Sequence, residues 1–480
     1  MHPVTRTARR RVLGIVPPTG VYVREDRCQT PIRNFKTIAL RPPIDLMYAA
    51  AAFESAGAEC RLVDYPAEGT GWDALRRDLD EFRPDVVVIS ATTQTLAADM
   101  EAAARAKAVV PGVLTVAKGA HFSVLAGDAL ARFPALDVAL RGEIEESCLD
   151  LGRGVALADI AGISWRRTNG VVVHNPERPF TASLDDLPFP ARHLARNDLY
   201  VRPDTGATQT TIVTNRGCPF HCVYCLANLT AGTRNRYRSV GNVVAEIRES
   251  IDRHGIRSFL FRSELFTQNK AWVLEFCRAV VDAGLDIEWA CNSRVDTIDL
   301  EMLQAMRRAG CWIMAFGVES GDQPTLDRID KKARVEDSFR AVALCREAGI
   351  RSSVYLLIGL PWDSPATMAA QRRFARALDP DVLEVFYAYP FPGTPLHRIC
   401  VEHGLLRADE IPAQSYDSPA YPTLHMDVDA LVRERARILR SFYLRPQKAL
   451  RLLRGVRSRA ELVNYARVGA AQLRLLTVGS

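Results

Sequence analysis

The chain reads as an α/β protein, with a doubly wound parallel sheet at the N-terminus followed by an open β/α barrel and a helical tail. Three observations predict this. The 480 residues are 48% hydrophobic and 25% charged, the balance of folded domains, and at about 150 residues per domain the length allows about three. Short β-branched runs alternate with helical stretches in two separate series, the signature of parallel sheets. Neither series carries a GxGxxG turn, so a dinucleotide-binding reading fails.

In residues 1–150 the first series runs VLGIV (12–16), a helix near 45–56, CRLVD (60–64), a helix near 73–82 and VVVIS (86–90). A helix over 95–110, VLTVAK (113–118), a helix over 124–133 and DVALRGE (137–143) complete it. Five βα units predict a Rossmann-like sheet, whose ligand sits beyond the carboxyl ends of the strands. Small and polar residues stand there: Pro17-Pro18-Thr19, Ser90-Ala91-Thr92-Thr93 and Gly119-Ala120-His121. Residues 151–206 read as a linker that holds a short hairpin turning at Asn169-Gly170 and a Pro-rich stretch.

The second series fills residues 207–400: TTIVTNRG, a helix near 240–255, SFLFRSE, a helix near 269–283, IEWACNSR and a helix near 299–309. It continues with CWIMAFGVES, a helix near 335–348, IRSSVYLLIGLP, a helix near 365–378 and VLEVFYAYP. Six such repeats predict a partial (β/α)6 barrel with its chemistry at the C-terminal strand ends. Residues 401–480 read as helical and basic, because residues 431–480 hold 12 Lys and Arg against 2 Glu. Such a tail suits either a solvated face over the barrel or docking on an anionic partner, including peripheral contact with a lipid surface.

Composition also excludes classes. The longest apolar stretch, Leu46 to Phe53, falls short of the roughly 18 residues of a membrane span, and MHPVTRTARRR leads into a strand without a secretory apolar region. A cytoplasmic protein is expected. The 11 cysteines are odd in number and mostly widely spaced, which favours a reducing compartment with a metal cluster over disulfides.

One group of cysteines is tight. Directly after the first strand of the second series comes Cys218-Pro-Phe-His-Cys222-Val-Tyr-Cys225. A closed zinc site needs a fourth ligand, yet the next histidine after the loop is His254, and His221 lies inside the loop. A 4Fe-4S cluster held by three cysteines keeps one iron open for a small molecule bearing an amine and a carboxylate. Cys291 and Cys311, among Trp and Ile in apparent strands, read as core packing.

The CxxxCxxC loop after a first barrel strand, with aromatic Tyr224 before its last cysteine, resembles the radical S-adenosylmethionine (radical SAM) superfamily. Later segments match in order: Phe261-Arg-Ser-Glu264-Leu-Phe-Thr267, Trp289-Ala-Cys-Asn-Ser-Arg294, Gly317-Val-Glu319-Ser-Gly321, Ile358-Gly-Leu-Pro361 and Tyr389-Pro-Phe-Pro-Gly-Thr394. The resemblance implies that Cys218, Cys222 and Cys225 bind the cluster. It further implies that Glu264 and Arg294 contact the methionine end of SAM, and that Glu319 or Ser320 contacts its ribose. It also implies that the cluster would give one electron to the sulfonium of SAM, cleaving it to methionine and a 5′-deoxyadenosyl radical. Two departures stand out: Ser263-Glu264 replaces a pair of acids, and Trp362-Asp363 replaces Gly-Glu after Leu360-Pro361.

Joined to such a barrel, the first domain resembles the cobalamin-binding domain of the superfamily's methylating class. Ser90 and Thr92, Gly119 and His121, and Arg141-Gly142-Glu143 stand after the third, fourth and fifth strands; the resemblance makes Ser90, Thr92, Gly119, His121 and Glu143 cofactor-binding candidates. The DxHxxG motif that supplies a lower axial histidine elsewhere is missing, so none is expected here. The expected activity is methylation of an unactivated carbon of a small-molecule or natural-product intermediate, with a flavodoxin or ferredoxin as electron donor and no nucleic acid. A radical SAM cyclase or carbon–carbon coupling enzyme is the second reading. More remote are a tRNA methylthiotransferase, for which Cys28, Cys60 and Cys148 would have to hold a second cluster, and a non-enzymatic iron-sulfur sensor.

Overall fold

Hydrophobic β-branched runs in the first series assemble a seven-stranded sheet. In the computed structural model, which describes residues 9–25, 28–31, 40–202, 204–412, 418–448 and 463, its strands are β1 (Arg11–Val16), β2 (Glu59–Asp64), β3 (Val86–Ser90), β4 (Leu114–Lys118), β5 (Val138–Leu140), β6 (Ile163–Arg166) and β7 (Val172–His174). Their order is β2-β1-β3-β4-β5-β6-β7. The first five pair in parallel. Helices α1 (Ile44–Ser55), α2 (Trp72–Phe82), α3 (Leu96–Val109), α4 (Phe122–Arg132) and α5 (Glu145–Arg153) follow these strands in turn. Central β3 is buried along its whole length, as a strand covered on both faces must be. Edge strand β2 instead alternates exposed Glu59 and Arg61 with buried Cys60 and Leu62. The strand order reverses between β1 and β3, the place where a doubly wound sheet opens its ligand crevice.

Residues 151–206 differ from the expected linker. The hairpin at Asn169-Gly170 folds onto the sheet, β6 pairing antiparallel with β5 through Val138↔Trp165 and Leu140↔Ile163. Without it β5 would end the sheet with a row of unpaired backbone groups, and the hairpin satisfies them. From there to Leu199 the chain makes only short 3-10 turns.

The second series forms a six-stranded, wholly parallel sheet in sequence order: β8 (Gln209–Val213), β9 (Ser258–Arg262), β10 (Glu288–Ser293), β11 (Cys311–Glu319), β12 (Arg351–Ile358) and β13 (Val382–Tyr387). Crossover helices include α6 (Val240–His254), α7 (Lys270–Asp282), α8 (Leu300–Arg308), α9 (Val335–Ala348) and α10 (Pro365–Leu378). Several start on a side-chain cap, as at Ser239, Asn269, Asp299 and Ser364, each satisfying an otherwise unpaired N–H. Trp289 is fully buried, stacks on Phe261 at 4.8 Å and donates its indole N–H to Ala309 O. Cys277, Cys291, Cys311 and Cys345 lie in the same apolar core.

The last described helix, α11 (Val428–Tyr443), seals the edge of this sheet. Its Tyr443 hydroxyl donates to Leu383 O and accepts from Leu383 N, both at 2.9 Å, and Arg435 Nε donates to Val385 O at 2.8 Å. Three backbone groups of β13, Leu383 N and O and Val385 O, are thereby paired by side chains. The tail expected to be basic and helical lies outside the described residues from 449 onward, Val463 excepted, including Arg451, Arg454 and Arg457. Among the described residues no helix is long and apolar enough to cross a membrane.

Candidate functional site

The loop after β8 is anchored before it reaches its first cysteine. Thr214 and Asn215 are fully buried, Asn215-Arg216 pairs antiparallel with Arg236-Tyr237, and Asn215 Nδ2 donates to Asn235 Oδ1 at 2.7 Å. Backbone bonds then hold the loop along its length: Cys218 N to Gly232 O, Val223 N to Ile329 O, and Leu396 N to Val223 O. Cys225 N closes a turn on Cys222 O. The thiols of Cys218, Cys222 and Cys225 are half-buried and none is in a disulfide. Burial pushes the Cys222 thiol up, against the pull of the nearby Lys331 ammonium. Among the described residues no three His, Cys, Asp or Glu side chains are already gathered round one point as a metal ion would need. Three soft sulfur donors on one loop nevertheless suit an iron-sulfur cluster and not a hard cation.

The strand ends next to this loop carry the other candidates. Glu264 follows β9, and its Oε2 is buried without a hydrogen-bond partner. Arg294 follows β10 and is already committed: its fork grips Asp296 at 2.9 and 2.7 Å, Nη2 donates to Lys332 O, and its plane covers the ring of Phe220 in the cysteine loop. Glu319 ends β11 with φ of 65°. Its Oε1 accepts from the Tyr224 hydroxyl at 2.9 Å and from Lys331 Nζ at 2.8 Å. Ser320 Oγ accepts from Asp322 N, closing the turn after the strand. Tyr224, Glu319, Arg294 and the cysteine loop are therefore brought together. Lys331, which joins them, is absent from the motif reading; its signal is a lysine in Asp330-Lys331-Lys332, just beyond Glu319-Ser320-Gly321.

After β12 comes Asp363, the second residue of the Trp362-Asp363 pair. It is 2% exposed, and its Oδ2 accepts from Gly359 N at 2.8 Å and Leu360 N at 3.0 Å. Burial raises its carboxyl to about 7, against those two N–H groups. Trp362 packs beside Leu360, Leu396 and Tyr421 in a small apolar cluster.

In the first unit, the crevice between β1 and β3 is built on a buried ion pair. Asp99 of α3 is fully buried and accepts from Arg24 Nη1 at 2.8 Å, Arg24 Nη2 at 3.0 Å and Thr19 Oγ1 at 2.6 Å. Thr95 Oγ1 also donates to it, and Thr92 N lies at 3.3 Å. Arg24 Nη1 donates in addition to Ser90 O. Ser90 and Thr92 thus stand at the crevice, beside charges that the motif reading missed. The signal for Asp99 was its place in the buried stripe of α3 with Leu96, Met100 and Ala103.

Gly119, at φ of 148°, leaves no room for a side chain, because a Cβ there would come 2.1 Å from Ala91 O. Its small size serves the close approach of two strand-end loops. His121, next in the loop, is 4% exposed, and both ring nitrogens are buried without a hydrogen-bond partner. Burial pushes it down to about 4, so the ring is neutral. Such a ring offers one donor and one acceptor to a bound polar group. Glu143 accepts from Thr181 N at 2.8 Å and so ties down the segment after the hairpin.

Two family models match the chain: the radical SAM superfamily over residues 212–372 and the B12 binding domain over residues 39–151. An uncharacterized methyltransferase of Pyrococcus horikoshii is 30% identical over 441 residues, 91% of this chain and 93% of the relative. The anaerobic magnesium-protoporphyrin IX monomethyl ester cyclase of Cereibacter sphaeroides is 28% identical over 367 residues, 74% of this chain and 60% of the cyclase. Among solved structures, the cobalamin-dependent S-adenosylmethionine radical enzyme OxsB, with aqua-cobalamin and S-adenosylmethionine bound, superposes with a TM-score of 0.73 at 16% identity over 98% of this chain and 72% of its own.

Proposed function

The chain belongs to the cobalamin-dependent radical SAM family, and from that premise we propose that it methylates an unactivated carbon of a small-molecule or natural-product intermediate. The observation that carries this reading is the extent of the match to the Pyrococcus methyltransferase, 91% of this chain and 93% of the relative. When bound, the cluster supplies the electron that splits a carbon–sulfur bond of SAM, and cobalamin supplies a methyl carrier.

The residues present fit those groups. Cys218, Cys222 and Cys225 hold the cluster through their sulfurs. Glu264 takes the SAM ammonium with the oxygen that is buried and unpartnered, which offsets the cost of keeping a lone carboxylate oxygen out of water. Arg294 acts on the loop through Phe220 and reaches the SAM carboxylate only with the nitrogen capacity left by Asp296 and Lys332. Tyr224, Glu319 and Ser320 form the wall toward the ribose. In the first unit Ser90, Thr92, Gly119 and Glu143 shape the crevice loops, and His121 offers cobalamin a neutral ring. Trp362, Leu360 and Tyr421 keep water from the reacting centre. The same reading sets the protein in a reducing cytoplasm, served by a flavodoxin- or ferredoxin-type donor.

Ring closure is the second reading, favoured by the 28% identity to the cyclase. Anaerobically reconstituted protein, supplied with SAM, cobalamin, a reductant and a candidate substrate, decides between them by product mass. A gain of about 14 mass units means methylation, and a loss of hydrogens means cyclisation. Failure to form 5′-deoxyadenosine or a methylated product with any substrate tested would set the methyltransferase reading aside.

A further inference from the structure

Among the described residues five non-glycine positions have left-handed backbone, and three of them, Glu319 (φ 65°), Asp330 (φ 54°) and Lys332 (φ 55°), surround one side chain, that of Lys331. Such conformations are costly and persist where the surroundings demand them. Here they turn a lysine inward. Lys331 is 6% exposed, and its Nζ donates to Glu319 Oε1 at 2.8 Å and to the Tyr224 hydroxyl at 3.4 Å. Tyr224 donates to the same Glu319 oxygen.

The neighbours of Lys331 grip the same cysteine loop. Ile329 O accepts from Val223 N. Lys332 O accepts from Arg294, whose guanidinium covers Phe220. The segment Ile329–Lys332 thus engages residues on both sides of Cys222, and it carries a buried cation that reaches the hydroxyl of Tyr224, the residue before Cys225.

Resting on the assignment of Cys218, Cys222 and Cys225 to the cluster, we infer that Lys331 and Glu319 are a positioning pair whose opposed charges set the reduction potential of the cluster, with Tyr224 joining them to the loop. Taking up an electron makes a cluster more negative, so a nearby ammonium favours the reduced form and a nearby carboxylate opposes it. Removing either partner alone leaves the other charge buried and uncompensated.

The test is a redox titration of anaerobically reconstituted full-length protein without SAM, followed by the paramagnetic signal of the reduced cluster. Lys331→Met should shift the midpoint to more negative potential and Glu319→Gln to more positive. The double variant should return close to the parent, and Lys331→Arg should stay there. If Lys331→Met fails to hold iron, Glu319→Gln and Lys331→Arg carry the test, and a Glu319→Gln midpoint that is unmoved or more negative overturns the inference. Single variants that keep their iron but shift in the same direction, or not at all, also overturn it and leave the pair structural. A parent protein that loads no iron overturns the cluster assignment itself, and the inference with it.

Discussion

The guanidinium carbon of Arg294 lies 3.7 Å from the ring centroid of Phe220, so a residue from the end of β10 presses on the loop between Cys218 and Cys222. The guanidinium lies over the ring, and the same group is forked on Asp296. Lysine keeps the charge and loses both geometries. Arg294→Lys should therefore lower the iron retained after anaerobic reconstitution and cost about 1–2 kcal/mol of stability, the scale of a cation–π contact plus a charge-assisted bond. Full iron retention with weakened SAM binding would make Arg294 a SAM ligand instead of a clamp on the loop.

Replacing Cys218, Cys222 and Cys225 together by alanine should abolish cluster iron and sulfide while leaving the helical circular dichroism signal unchanged, because none of the three packs in the barrel core. Iron and sulfide assays on the reconstituted variant check this. Retention of about four irons per chain would contradict the ligand assignment.

Asp99 is fully buried and the Arg24 side chain is 8% exposed. Asp99→Asn leaves the arginine charge buried with its strongest acceptor neutralised, at a cost of about 3–5 kcal/mol. Urea denaturation should show the loss in the first unit, and cobalamin retained through gel filtration should fall with it. A variant as stable as the parent would mean that water reaches the crevice and solvates Arg24.

His121 adds a pH dependence of stability. Burial holds its pKa down to about 4 from the usual 6.5. The unfolded chain takes up this proton first as pH falls, so stability is full above about 6.5 and declines toward about 4, by at most about 3 kcal/mol. His121→Phe should remove this component from denaturation midpoints measured across that window. Cobalamin that contacts the ring should also perturb its NMR resonances; identical spectra with and without the cofactor would remove His121 from the site.

Much of this architecture was legible because period and spacing report backbone geometry directly. The βα alternation reports the parallel strands of both sheets, and the eight-residue cysteine loop follows β8, as its place directly after TTIVTNRG implies. The hairpin at Asn169-Gly170 was recognisable locally, yet its docking on β5 was hidden, since antiparallel pairing with a distant edge leaves no periodic trace. Lys331 escaped for a related reason: its inward turn depends on left-handed backbone at Asp330 and Lys332, and neither residue type announces that conformation as glycine would. Asp99 is one of four charged residues in an alanine-rich helix and the one that is buried, and its partner Arg24, some 75 residues earlier, shows why it can be.

The side-chain seal on β13 bears on how the chain is made. A growing polypeptide emerges from the ribosome with β13 complete while α11, some forty residues later, is still to come, a gap of several seconds at about 5–20 residues per second. During that interval Leu383 and Val385 offer their backbone groups to any passing strand. Synthesis halted between residues 388 and 427 therefore yields a barrel with one adhesive border, a natural substrate for chaperones and a seed for co-aggregation of nascent chains on the same messenger.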